Sequence, residues 1–398
     1  MSPQATALVA RLAAYVEAGE VAGGALRFRR HGVLVESAAL GRSDAGRSAC
    51  VNDRSVFRLA SLTKPVVAVA VLQAVEAGVL GLDDPVSRLI PSYASTAVAQ
   101  GVRVSWTSHG GGAVRPRTVP AARPVTVRDL LTHSSGLGQG PDSQGFLDAL
   151  SRDDDTLAER VDSYARVPGD AQPGESAGYS PKVGFDVLGR IVEICAGTDL
   201  QSALRASVLG PLGMTDTAFV LTDEQERRLV RLYSHDGGRL RDESGCDGDQ
   251  GMRSNSAGLH SGAAGLFSTV VDMDRFARML AGGGSLEGTR ILRPSTVRAM
   301  NTERARGARE LSPGREWGLG VMVGVAKDDD VRAPGAYGWS GAWGTHLVVD
   351  PRNATTLVLM VNRADIGGAD SPLSRDLERL ALRTCKRLRT DKNTGGTA

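Results

Sequence analysis

Apolar and polar positions change rhythm along the chain, and each change predicts an element. Ala5 to Gly19 reads as an amphipathic helix. Ala25 to Arg30 and Val33 to Leu40 are β-prone runs about His31-Gly32, the pattern of a hairpin. Val66 to Gly78 is apolar almost all round, which predicts a buried helix rather than a surface one, stopped by Gly78 and Gly81. Val183 to Ala196 places Phe185, Leu188, Ile191, Val192 and Cys195 on one helical face. Val127 to Leu131, Gln201 to Leu209 and Ser268 to Ala281 predict three more helices, the last capped by Ser268 or Thr269. Asp83-Asp84-Pro85 opens a short helical segment that ends at Pro91.

The last third turns to strands. Trp317 to Val325, Thr345 to Val349 and Thr355 to Val361 are β-prone, the last two joined through the turn Asp350-Pro351-Arg352-Asn353. Ser374 to Leu388 predicts a closing helix, and 391–398 reads as a disordered tail. Three stretches lack a clear period. Residues 94–124 read as loops or short strands, 141–172 as a polar segment with a solvated helix start at Asp153-Asp154-Asp155, and 223–257 as a polar, glycine-rich linker or active-site-facing loop. Strands at both ends with helices between predict an α/β (α+β) fold of two parts. Residues 1–60 and 250–390 form a mixed domain built from both termini, and 61–249 a mostly helical domain inserted into it.

Composition narrows the function. With 41% hydrophobic residues in 398, the chain can bury a large core. Its 47 basic and 45 acidic residues are mixed throughout, so neither nucleic acid nor a membrane surface is an expected partner. No run reaches the length of a membrane span, the first residues lack the pattern of a secretory signal, and a cytoplasmic enzyme is the expectation. Cys50, Cys195, Cys246 and Cys385 are scattered, which argues for no disulfide framework, and the spacing of cysteines and histidines suggests no metal site or cofactor.

The chemistry lies at the head of the apolar helix, in Phe57-Arg58-Leu59-Ala60-Ser61-Leu62-Thr63-Lys64-Pro65. Pro65 is tolerated only in a first turn, so the helix begins close to Ser61. Ser61 and Lys64 then share a face one turn apart, a hydroxyl nucleophile beside an amine that can act as its base when neutral. Burial and the positive helix end both disfavour an ammonium there. The bland alternative is a serine N-cap and a chance spacing. Only five lysines occur in the chain, and Lys64 alone has a serine three residues before it.

With this stretch the chain resembles the serine β-lactamase and penicillin-binding-protein superfamily, and most of all the family VIII carboxylesterases and related transacylases. Leu130-Leu131-Thr132-His133-Ser134-Ser135-Gly136-Leu137, Pro211-Leu212-Gly213-Met214 with Thr217, and Gly262-Ala263-Ala264-Gly265-Leu266-Phe267-Ser268 match segments of that superfamily that are usually structural. The resemblance spans roughly residues 5 to 363 and implies an antiparallel sheet flanked by helices, with an inserted helical domain. It implies that Tyr179, in Tyr179-Ser180-Pro181, relays the proton as general base and acid. Proline stands there where the superfamily carries asparagine. The third motif corresponds to Trp339-Ser340-Gly341, with tryptophan in place of the cation that pairs with a β-lactam carboxylate. The backbone amides of Ser61 and Ala342 would form the oxyanion hole, and Trp339, Ser340, Gly341 and Trp343 the substrate wall.

A competing motif is Gly174-Glu175-Ser176-Ala177-Gly178, with His109-Gly110-Gly111-Gly112 upstream, the pairing seen in α/β-hydrolases. A nucleophile elbow needs a strand before the serine and a helix directly after it, and Val167 to Pro173 reads as a loop. The expected activity is therefore acyl transfer through Ser61, from a small-molecule ester, amide or activated carbonyl to water, an amine or an alcohol. A β-lactamase or DD-peptidase, or a non-catalytic binder of the same fold, are the alternatives. Oligomeric state is left open.

Overall fold

The computed structural model describes residues 7–46, 49–100, 117–152, 154–245, 258–304, 314–326 and 331–394. In chain order the helices are α1 (Ala7–Glu17), α2 (Thr63–Glu76), α3 (Val127–Leu131), α4 (Pro141–Leu150), α5 (Leu157–Tyr164), α6 (Val183–Ala196), α7 (Leu200–Leu204), α8 (Asp223–Arg227), α9 (Val270–Ala281), α10 (Pro294–Thr302) and α11 (Pro372–Thr394). The long strands are β1 (Gly23–Arg30) and β2 (Val33–Gly41) at the start. Later come β11 (Arg315–Trp317), β12 (Met322–Gly324), β13 (Tyr337–Ser340), β14 (His346–Asp350) and β15 (Thr355–Val361). These seven form one antiparallel sheet in the order β11-β12-β13-β14-β15-β1-β2, so strands from both termini lie side by side. Four two-stranded ribbons complete the set: β3 (Phe57–Arg58) with β8 (Phe267–Ser268), β4 (Ala97–Gln100) with β5 (Arg117–Pro120), β6 (Tyr233–Asp236) with β7 (Arg239–Asp242), and β9 (Ser285–Leu286) with β10 (Thr289–Arg290).

Both faces of the sheet are covered, which is why β15 is an unbroken buried run of β-branched and apolar residues rather than an alternating one. Val358 and Met360 face the inner core shared with α9 and α2, while Leu357, Leu359 and Val361 face an outer core with Leu8 and Leu12 of α1 and Leu373 and Leu377 of α11. Helix α2 is buried without interruption from Thr63 to Leu72 and packs on α6, so its lack of a polar face reflects burial on every side.

Several expectations are corrected. Trp317 to Val325 is two strands, because Gly318-Leu319-Gly320-Val321 makes a turn in which Gly320 adopts φ +79°. The 223–257 stretch holds α8 and the β6–β7 hairpin, and 246–257 lie outside the described residues. The polar 141–172 segment contains two helices. The second starts not at the acidic run but at a capping box: Thr156 accepts from the Glu159 amide while Glu159 accepts from the Thr156 amide. Helix α11 extends through Thr394 into the stretch expected as a tail, and 395–398 lie outside the described residues. No described helix is long and apolar enough to cross a membrane.

Candidate active site

The nucleophile turn is held from three sides. Ribbon β3–β8 anchors Phe57 and Arg58, and Asn362, just past β15, accepts the Arg58 N–H at 3.1 Å while its amide donates to the Arg58 carbonyl at 3.2 Å. Thr345 Oγ1 donates to the Leu59 carbonyl at 2.8 Å. Ala60 is forced to φ +47°, unfavourable for a residue with a Cβ, and Ser61 follows in a tight turn over Ala60–Leu62 that runs into α2. Among the described residues neither the Ser61 nor the Ala342 N–H meets an acceptor in the protein.

Lys64 Nζ lies 3.1 Å from Ser61 Oγ, 2.8 Å from the Pro181 carbonyl and 2.9 Å from the Ala263 carbonyl. Tyr179 donates its hydroxyl to Ser61 Oγ at 2.8 Å. Lys64 is fully buried, and every polar contact it makes belongs to this cluster. Proline 181 therefore enters through its backbone oxygen, a contact its missing side-chain amide does not affect. The Ala263 carbonyl is set in turn by Asp186, which accepts the Ala263 N–H at 3.1 Å and the Ser261 hydroxyl at 2.7 Å. Burial pushes the Asp186 carboxyl up, against those two hydrogen bonds.

Aromatic rings crowd one side of the cluster. Tyr179 packs on Trp339 with centroids 5.1 Å apart and on His133 at 4.9 Å; Trp317 stands edge-on to both Trp339 and His133, at 4.4 Å from each. Phe185 adds a face 5.7 Å from Lys64 Nζ. His133 accepts the Ser180 N–H on Nδ1 at 3.1 Å, and burial holds its imidazole well below its ordinary pKa. A cavity of about 630 Å³ opens on Ser61 and Tyr179, lined also by Tyr164, Trp339 and Ala342, with Gly367 and Gly368 leaving room.

The sequence-predicted residues thus fall into two groups. Ser61, Lys64 and Tyr179 meet, the Ala342 backbone lies on the cavity with Trp339, and Gly341 passes so close that an added Cβ would stand 2.2 Å from the Leu59 carbonyl. Ser340 lines the cavity as well, whereas Trp343 does not reach it. The Ser340 hydroxyl turns to the other face of the sheet and bonds His346, and Trp343 packs on Ala60 and Leu232 beneath the nucleophile turn. Sequence reasoning missed His133, Trp317, Phe185, Asp186, Thr345 and Asn362. The available signal was scarcity, since aromatic residues are only 4% of the chain and several gather here. The competing Ser176 sits in a turn and coil with no strand before it, helix α6 starts only at Val183, and 109–112 lie outside the described residues.

A serine hydroxyl flanked by a buried amine and a phenol, with two unsatisfied amides beside it, defines with this fold a serine hydrolase or acyltransferase that works through an acyl-enzyme. The chain belongs to the beta-lactamase family, whose model matches residues 8–380. It is 32% identical over 366 residues to protein Rv1367c of Mycobacterium tuberculosis, covering 87% of this chain and 86% of that one. It is also 32% identical over 375 residues to esterase EstB of Burkholderia gladioli, with the same coverage of 87% and 86%. Among solved structures, EstCE1, described as a hydrolase with promiscuous acyltransferase activity, superposes with a TM-score of 0.77 at 25% identity, over 95% of this chain and 97% of that one.

Proposed function

We propose that the protein is a carboxylesterase that takes neutral esters, acylates Ser61, and releases the acyl group to water or to an alcohol or amine that enters the same cavity. The observation that carries this is the set of contacts around Lys64. A neutral amine has two N–H bonds and one lone pair. Two carbonyls take the N–H bonds, which leaves the lone pair for the Ser61 proton. As Oγ attacks, the Ser61 and Ala342 amides receive the oxyanion, an effect worth about 10²–10³ in rate per donor in such sites. Tyr179, freed from Oγ, donates to the departing oxygen. The net proton movement is from Ser61 to the leaving alcohol, with Lys64 and Tyr179 as carriers. Deacylation runs the same path backwards, with the acceptor hydroxyl in place of the leaving group.

Substrate charge follows from the lining. Arg160 is paired with Asp155 at 2.8 Å, Lys182 with Asp148 at 2.9 Å and Asp365 with Arg363 at 2.9 Å, while burial favours the neutral form of Asp186. A cavity whose charges are already matched suits an uncharged substrate, and Trp339 offers no cation to a β-lactam carboxylate. The names of EstB, an esterase, and EstCE1, a hydrolase with promiscuous acyltransferase activity, support the ester and acyl-transfer part of this reading. Incubation with an activated ester and intact-mass measurement tests the reading: one acyl adduct in the native chain and none in Ser61→Ala. An adduct that survives Ser61→Ala refutes it, and adding competing alcohols shows how the acyl group divides between acceptors.

A further inference from the structure

A buried polar chain runs behind the strand that leads to Ala342. Ser340 and His346 are cross-strand partners in β13 and β14, and Ser340 Oγ lies 2.6 Å from His346 Nδ1. Beyond the ring, His346 Nε2 lies 3.0 Å from Glu378 Oε1 on α11, close but not aligned as a hydrogen bond. Arg332 completes the chain with two bonds to the same carboxylate, Nε to Oε2 at 2.8 Å and Nη2 to Oε1 at 2.6 Å. Burial alone would push the Glu378 carboxyl up, but the charge and hydrogen bonds of Arg332 outweigh it and hold the group well below the usual carboxylate range.

The connectivity is that of a serine–histidine–carboxylate relay, yet Ser340 is 2% exposed at the cavity wall and its hydroxyl is turned to His346 rather than to Ser61 and Tyr179, which already form the reacting pair. Buried ion pairs can often be replaced by well-packed apolar residues at little cost, so stability alone does not account for this network. What the chain does fix is the pleat of β13. With Ser340 drawn to the outer face, Trp339 must face the inner core, and the Gly341-Ala342 peptide is delivered against the nucleophile turn, where the Gly341 N–H donates to the Thr345 carbonyl at 2.7 Å.

We infer that His346 is a positioning residue for acyl transfer at Ser61, holding Ser340 so that the Ala342 amide stands where the oxyanion forms. The inference rests on the acyl-enzyme reading above. Two variants separate the ends of the ring: His346→Asn keeps an amide near the place of Nδ1 and loses Glu378, while His346→Gln reaches Glu378 and loses Ser340. With an activated ester, His346→Gln lowers kcat about 10- to 100-fold with KM within about two-fold, since small misplacements at a reacting centre are that costly. His346→Asn stays within about three-fold of the native kcat. Ser340→Ala matches His346→Gln, and the double variant is no worse than either. Equal losses in the Asn and Gln variants, or losses that simply follow melting temperature, overturn the inference.

A second measurement needs no turnover. Amide hydrogen exchange at Gly341 and Ala342 quickens in His346→Gln and not in His346→Asn; no difference between them overturns the positioning role. A native chain that fails to hydrolyse any ester would sink the acyl-enzyme reading, and the exchange comparison still decides whether His346 sets this strand.

Discussion

At the scale of single residues, Tyr179 separates chemistry from packing. Its ring belongs to the aromatic set with Trp339, Trp317 and His133, while its hydroxyl alone touches Ser61. Tyr179→Phe keeps the ring, so its expected effect is a loss of about 10²- to 10⁴-fold in kcat with melting temperature nearly unchanged, measured on any ester the native chain turns over. Ser61 and Lys64 were legible in the sequence because their juxtaposition is local, fixed by three residues of helix. His133 and Trp317 were not, because each reaches the site from its own segment and neither sits in a pattern that chemistry alone would require. Proline 181 shows the opposite limit: a side chain can signal a lost function while the backbone beneath it supplies a contact no letter in the sequence records.

At the scale of elements, the site depends on how closely β13 can approach the turn before α2. An ideal Cβ on Gly341 would lie 2.2 Å from the Leu59 carbonyl and 2.3 Å from Thr345 Oγ1, both fixed groups that already bond each other. Gly341→Ala therefore drives the two oxyanion amides apart. A fall in kcat of about 10²-fold, larger than any rise in KM, is the expected result in steady-state kinetics. Elements with a strong local period, such as α6 and the β1–β2 hairpin, were legible to within a residue or two. Strands β11 and β12 were not separated, because the turn between them is marked only by glycines inside an otherwise β-prone run. The β6–β7 ribbon hid in a polar segment because, with Tyr233 its one buried residue, so short a ribbon shows no apolar alternation.

At the scale of the whole molecule, closing one sheet from both ends of the chain makes stability a shared property, and pH acts on it through buried carboxyls. Asp272, in the first turn of α9, is pushed up to about 6, chiefly by burial and also by Asp216, against hydrogen bonds from Thr217 and the Asp216 amide. A carboxyl whose folded pKa exceeds its unfolded one stabilises the fold most at low pH, and that contribution is lost as pH rises from about 4 through about 6. Asp272→Asn should therefore gain melting temperature over the native chain on going from pH 4 to pH 8, a relative gain on the order of 2–3 kcal/mol; a difference that stays flat across that range would contradict it. The tryptophans carry another consequence. Trp317 and Trp339 stand against Tyr179, and Trp343 lies beneath Ala60, so three of the chain's four indoles pack either on the phenol that touches Ser61 or on the turn that carries it. Their ultraviolet emission is a built-in optical gauge, and stopped-flow mixing with an ester should show the glow shift as the serine is loaded and return as it empties.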